Sequence, residues 1–490
     1  MGIPGWASKF REPKTEIKLI RGTYYKYAVE YKYNPQKKRT DKVTTHILGK
    51  ITEAGGFSAS QMQSLKEQLA APHNVDIKTY GVFKLFTSLL EDDLQSLGQL
   101  FSDGISQLLL TVAMIRWAYQ SPIKRMPFLH AHDFCSEQWC SQGIDDKAIS
   151  ATLQYVGENR TVIIDWMKNR LNLNENAINN FIMMDSTHIH TLSRHLKINA
   201  PGYNPQHNYD PQVRLMYIFS AQIKQPVYYR LINGNITDLT SMKKCVDELG
   251  CADVVFIADK GFYSRQNTTD LKANRLYYII PVERDNSLVD YTGLEQPGFR
   301  KSPDNCFIYM GRVIWCHAYE KNGEKLVTYL DPKLKTKEEY DFLQRTKTHP
   351  DKYTETDFAK KLSRFGTLTL TSHLPANLTA AQLYETYKQR NEIEVLFDSY
   401  KNVLKADKSY MQNRYVMEGW LMANFIAMIA HYRLYQRLKT NNLLSKYSAT
   451  DIIELSKAIC QAKIRGNWSQ VEITKKHRDL FKKIKIDYLI

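Results

Sequence analysis

The sequence predicts a multidomain α/β (α+β) protein organised around a mixed β-sheet. Three observations lead there. Between residues 181 and 282, short apolar runs alternate with helical spacing in the order β-β-β-α-β-α-β. Residues 58–176 and 416–438 carry apolar positions at the helical period. Residues 23–33 alternate strictly, as a half-buried strand does.

In TYYKYAVEYKY (23–33), Tyr25, Tyr27, Val29, Tyr31 and Tyr33 share one face, and NPQKKR followed by a strand near 42–49 completes a basic hairpin. Residues 1–57 are read as this N-terminal module. From 58 to 176 the segments SLKEQLA, YGVFKLFTSLLEDDL, QLLLTVAMIRWAY, KAISATLQYVG and TVIIDWMKNRL predict a helical region, a candidate DNA-binding domain. FIMM (181–184) is a short strand ending on Asp185. VRLMYIFSA (213–221) and VYYRLI (227–232) form an antiparallel pair across a turn at 224–226. A helix over 238–249 leads to VVFIA (254–258), which ends on Asp259. A second helix to residue 273 leads to LYYIIPV (276–282). Three antiparallel strands with parallel additions through crossovers give the order of a ribonuclease-H-like core, here 177–282.

Residues 283–376 depart from that pattern. Strands at 306–310, 312–319, 326–330 and 366–372 predict a mostly β insertion containing a polar, Lys-rich stretch. Residues 377–440 return to the core. One long helix runs through Tyr384–Tyr400, with Asn377 and Thr379 as candidate caps and no proline or glycine inside it. The apolar helix 416–438 is expected to pack beneath it. Residues 441–490 read as a helical tail with a basic end, KKHRDLFKKIKI.

Lys and Arg number 67 against 51 Asp and Glu, a formal charge of +16. With 31 tyrosines among the cations, the expected partner is nucleic acid rather than a membrane surface. Seven cysteines are an odd number, none forms a CxxC pair, and no His cluster has zinc spacing. The N-terminus lacks an apolar signal core, and the longest apolar runs are too short to span a bilayer. These features predict a cytoplasmic protein of a reducing compartment, with no membrane partner.

Chemistry concentrates on four positions and two aspartates. Tyr387, Arg390, Glu394 and Lys401 stand at i, i+3, i+7 and i+14. On a continuous helix they fall in a stripe about 60° wide, beside an apolar face of Ile393, Leu396, Phe397, Val403 and Leu404. A solvated face with an Arg390–Glu394 pair explains such a stripe equally well. Asp185 and Asp259 each close an apolar strand, where polar groups face the crevice of an open α/β sheet. If their strands are neighbours, two like charges meet and require a cation between them. With Glu394 they make a hard-oxygen set, suited to Mg²⁺ or Mn²⁺ rather than zinc. Two such ions would activate a water or 3′-hydroxyl and steady the leaving oxygen of a phosphodiester. His188, His190, Glu392 and Asp398 are weaker candidates for the same site.

In these residues the chain resembles the DDE-type transposases of bacterial insertion sequences, in the group with a Tyr-x2-Arg-x3-Glu-x6-Lys signature. Tyr387, Arg390, Glu394 and Lys401 match all four positions. Asp259-Lys260-Gly261-Phe262 resembles the group's second-aspartate motif, and Asp185-Ser186-Thr187 its first. The resemblance covers roughly residues 181–435. It implies a ribonuclease-H-like catalytic core, with Asp185, Asp259 and Glu394 as catalytic, metal-binding residues for two Mg²⁺ or Mn²⁺ ions. It implies that Tyr387, Arg390 and Lys401 contact phosphates of the transposon end, with Trp315 a candidate for stacking on an unpaired base. Terminal inverted repeats, target DNA and a homodimer or larger synaptic complex follow as partners. Cleavage at the ends would be followed by joining of the 3′-OH ends to target DNA. The competing readings are a metal-dependent nuclease without joining, a silent domesticated DNA-binding protein, and a tyrosine recombinase.

Overall fold

The computed structural model describes residues 2–60, 75–171, 181–191, 193, 195–201, 211–233, 244–245, 247–250, 254–406, 408–464 and 466–486. They fall into two compact units. One contains the chain up to Asp76 together with Ala462–Ser469; the other contains Ile77–Gln461 and Gln470–Ile490.

The smaller unit is an antiparallel sheet of β1 (Thr15–Ile20), β2 (Thr23–Asn34), β3 (Arg39–Thr52) and β4 (Gly56–Ala59), in that order. The expected hairpin is β2–β3, whose turn is held by Asn34 Oδ1 accepting from the Gln36 and Lys37 amides at 3.1 and 3.3 Å. Its single tyrosine face does not persist, because the register shifts on either side of Tyr27. Lys26 and Val29 are buried, whereas Tyr31 and Tyr33 are exposed. Two strands within the C-terminal region, Cys460–Ile464 and Asn467–Gln470, correct the expectation of an all-helical tail.

The larger unit opens with helices α1 (Gly81–Leu89), α2 (Glu91–Gly98), α3 (Asp103–Tyr119), α4 (Asp146–Glu158) and α5 (Arg160–Leu171). The sheet follows, with β5 (Phe181–Thr191), β6 (Pro211–Ser220), β7 (Gln225–Asn233) and β8 (Val255–Ile257). Helix α6 (Arg265–Ala273) then leads to β9 (Tyr277–Val282). The helix expected over 238–249 falls largely outside the described residues. β5 pairs antiparallel with β6, and β6 with β7, while β8 and β9 add in parallel.

Beyond β9 the chain extends the same sheet. β10 (Cys306–Tyr309), β11 (Arg312–Lys321), β12 (Glu324–Leu330) and β13 (Thr367–His373) follow one another, and β13 pairs antiparallel with β9. The strand order is β10-β11-β12-β13-β9-β8-β5-β6, with β7 also on β6. The expectation of a mostly β insertion is corrected twice, since these strands join the main sheet and the Lys-rich stretch is helical. It forms α7 (Pro332–Thr348) and α8 (Glu355–Lys361). Asp331 caps α7 by accepting from the Lys333 and Leu334 amides at 3.0 and 3.2 Å. Only Phe342 is buried on α7, and its ring packs against Tyr353, Phe358 and Phe365. So narrow an apolar face leaves little periodicity to read.

The helix expected to be continuous through Tyr400 is broken. α9 (Ala380–Lys388) starts at the expected cap, Thr379, in a capping box with Gln382. It ends before Gln389 and Arg390, and α10 (Asn391–Asp398) then runs into a π-helical turn, Ser399–Val403. α11 (Arg414–Thr440) is the buried apolar helix, and α12 (Ala449–Lys457) and α13 (Lys475–Lys483) close the chain.

One core joins these elements. Phe425 of α11 lies 5.8 Å from Tyr217 on β6, 5.1 Å from Tyr229 on β7 and 6.3 Å from Trp166 on α5. The helices before β5 therefore share the core of the sheet rather than forming a domain of their own. Arg116 on α3 donates to Asn424 Oδ1 at 3.2 Å and to the Leu404 carbonyl at 2.6 Å. α4 and α11 cross at backbone contact: a Cβ on Gly157 would lie 1.9 Å from the Tyr415 carbonyl oxygen, and one on Gly419 would lie 2.0 Å from that of Leu153. Gly419→Val is expected to destabilise the protein by about 3 kcal/mol, because neither partner is a side chain that can move aside. Urea unfolding that superimposes on wild type would contradict this packing.

Candidate active site

The sheet register brings the two aspartates together. Ile257 of β8 pairs in parallel with Met183 of β5, so two residues further along Asp259 stands beside Asp185. β8 stops at Ile257, but β5 continues to Thr191. Asp185 is thus a mid-strand residue, and the expected strand end lies only on the Asp259 side. Asp185 Oδ1 accepts from the Ser186 amide at 2.8 Å, and Asp259 Oδ1 from the Gly261 amide at 2.5 Å. The Oδ2 atom of each aspartate faces Arg390.

The crevice beside these aspartates holds the Arg390 guanidinium. Its Nη2 lies 3.6 Å from Asp185 Oδ2 and 3.4 Å from Asp259 Oδ2, and its Nη1 lies 2.9 Å from Glu394 Oε1. Three acids separated by up to 209 positions therefore meet at one cation. The Arg390 side chain is 15% exposed, against 32%, 50% and 57% for Asp185, Asp259 and Glu394. Arg390 directly precedes α10, in right-handed helical conformation, with its amide bonded to the Tyr387 carbonyl at 3.0 Å.

A cleft of about 560 Å³ opens beside this cluster, walled by Asp259, Lys260, Arg284, Thr367, Tyr387 and Arg390. Glu283 and Asp285, at the C-terminal end of β9, also line it. Sequence reading missed these two, although the strand-end argument that selected Asp259 applies to them. Arg284 is held in place by Glu338 at 2.9 and 3.0 Å and by the Thr367 carbonyl at 2.9 Å. Burial pushes the Tyr387 phenol above its ordinary value. The Arg390 charge draws it back, and Asp259 and Glu394 raise it again. Tyr387 is a protonated hydroxyl donor at neutral pH.

The remaining candidates separate. Lys401 is exposed on the π-helical turn. Trp315 on β11 is half-buried, with its ring 6.1 Å from Phe299. It lies on the rung that passes through Leu330 to Thr367, a residue of the cleft wall. Glu392 is engaged by α11, bonding Lys439 at 2.6 Å, Gln436 at 3.2 Å and the Tyr432 hydroxyl. Asp398 accepts from Asn402 at the start of the π-helical turn. His188 and His190 fall an odd number of residues from Asp185 on an unbroken strand, which turns them to the opposite face of the sheet.

Residues 178–430 match the family described as the transposase DDE domain. The chain belongs to the DDE transposases. It is thereby placed with enzymes that cut and transfer DNA. Among solved structures, the cryo-EM structure of the piggyBac transposase synaptic complex with hairpin DNA resembles it at 10% identity and a TM-score of 0.39. The likeness covers 77% of this chain and 79% of that one, and is too slight to bear on the site. No curated protein matches. Among the described residues of this DDE transposase, no helix is long and apolar enough to cross a membrane.

The donor chemistry of the cluster fits a hard divalent ion: three carboxylates, without thiolate or imidazole, already gathered by a cation. The gathering is done by Arg390. Among the described residues, no three acidic, His or Cys side chains stand close enough to hold an ion directly.

Proposed function

We propose that this DDE transposase binds the terminal inverted repeats of an insertion sequence of the group with the Tyr-Arg-Glu-Lys signature, cleaves phosphodiesters at the element ends and joins the 3′-OH ends to target DNA. The observation that carries this reading is the meeting of Asp185, Asp259 and Glu394 at one guanidinium beside a cleft. The sheet of β5–β9 is read as a ribonuclease-H-like core, in keeping with its three antiparallel strands and two parallel additions.

Asp185, Asp259 and Glu394 would hold two Mg²⁺ or Mn²⁺ ions. Such ions, when bound, supply an activated water or 3′-hydroxyl and neutralise charge on the phosphate. Tyr387 donates its hydroxyl to a phosphate oxygen at the cleft wall, and Arg390 offers a bidentate fork. Lys401 contributes a point charge to the DNA backbone. Trp315, on a rung leading into the cleft, offers a face for an unpaired base. The assembly would be a homodimer or larger synaptic complex acting in the cytoplasm.

The decisive test incubates purified protein with DNA carrying the element's two ends and Mg²⁺. Strand cleavage at the ends followed by joined product is expected; absence of both removes the reading, and cutting without joining turns it into a nuclease. Lys401→Ala is expected to weaken DNA binding about equally across sequences and to reduce the salt slope by about one. A salt titration with an unchanged slope would exclude Lys401 from the phosphate contacts.

A further inference from the structure

We propose that Arg390 is the resident counter-ion of the acid cluster and competes with divalent metal for it, so that part of the cluster's negative charge is neutralised before any ion arrives. This rests on the reading of Asp185, Asp259 and Glu394 as a metal site, and adds a role to Arg390 beyond contact with DNA.

Three observations support it. One guanidinium makes all three ion pairs, at 3.6, 3.4 and 2.9 Å, through two different nitrogens. Both aspartates turn their Oδ2 atoms to Arg390 while their Oδ1 atoms accept from backbone amides, so the guanidinium stands against carboxylate oxygens that a metal ion at this cluster would also use. Arg390 also lies in the two-residue break between α9 and α10, where the Arg390 amide bonds the Tyr387 carbonyl at 3.0 Å. Rotation about its own side-chain bonds is enough to carry the guanidinium away from the acids.

The physical consequence is competition. Carboxylates this close repel one another unless a cation lies between them. A divalent ion entering the cluster must displace the guanidinium, and its apparent affinity is lowered by the strength of the contacts it breaks. The three pairs are partly exposed, each amounting to less than a factor of about five, so the combined handicap is on the order of tenfold.

The test measures Mn²⁺ binding by calorimetry in the absence of DNA, on the full chain. Wild type, Arg390→Gln, Arg390→Lys and Asp259→Asn are compared, with circular dichroism to show that each is folded. Arg390→Gln is expected to bind Mn²⁺ about tenfold more tightly than wild type, Arg390→Lys to fall between them, and Asp259→Asn to lose binding. Arg390→Gln should also melt lower than wild type without metal and gain more on adding Mn²⁺. Loss of binding in Asp259→Asn with equal or weaker binding in Arg390→Gln would overturn the counter-ion role and leave the metal site standing. Undiminished binding in Asp259→Asn would overturn both.

Discussion

Asp259→Asn is expected to reduce strand cleavage at the element ends by on the order of a thousandfold while leaving the fold intact. Asn keeps the oxygen that accepts from the Gly261 amide at 2.5 Å, so the turn after β8 retains its cap. It removes the negative charge and with it a hard anionic donor. The lost pair with Arg390 matters little for stability, because the Asp259 side chain is 50% exposed and such pairs contribute less than about 1 kcal/mol. Asp185→Asn and Glu394→Gln should behave alike, and combining two of them should cost little more than one, as in any group that acts as a unit. Cleavage of end DNA followed on a denaturing gel decides it. An Asp259→Asn protein within tenfold of wild type would remove this residue from the chemistry.

The largest expected effect on stability is at Asp93. Its carboxylate lies 3.0 Å from Arg170 Nε and 2.7 Å from Arg433 Nη2, and all three side chains are nearly buried. Both arginines also donate to Gln225 Oε1, at the start of β7. Burial pulls the Arg170 guanidinium below its usual range, and the charge of Asp93 opposes that pull while neighbouring Arg433 adds to it. Asp93→Ala leaves two buried guanidinium groups without their carboxylate, a loss of about 3–5 kcal/mol. Urea unfolding measures it, and a loss below about 1 kcal/mol would show that water or another acid compensates. One residue thus fastens α2, α5 and α11 to the turn between β6 and β7. That fastening is why the helices before the sheet belong to its core.

Much of this architecture was legible from local pattern. The strands from FIMM to LYYIIPV begin close to where alternation and apolar runs place them, although the first continues past Asp185 to Thr191, and the Thr379 cap and the buried face of Ile393, Leu396 and Phe397 follow from residue chemistry. Nothing in YETYKQRNEIEVLFDSY opposes a continuous helix. Its break at Gln389–Arg390 lies where Arg390 turns toward the acids of two strands, an influence outside any window of sequence. The Lys-rich stretch after Asp331 was unread for the opposite reason, since α7 buries only Phe342 and has almost no apolar stripe.

The sequence by itself supplied the candidates for the chemistry, since three carboxylates, an arginine, a tyrosine and a lysine at fixed spacing are covalent facts. It also determined that Asp185 and Asp259 follow apolar runs able to pair in a sheet. Only the tertiary structure decided that β8 lies against β5 in the register that sets the two aspartates side by side, and that Arg390 rather than a fourth acid stands among them. The physical reason is that strand pairing and charge neutralisation act between segments dozens to hundreds of residues apart, whereas spacing along a chain reports only on the neighbours within one helix turn or one strand.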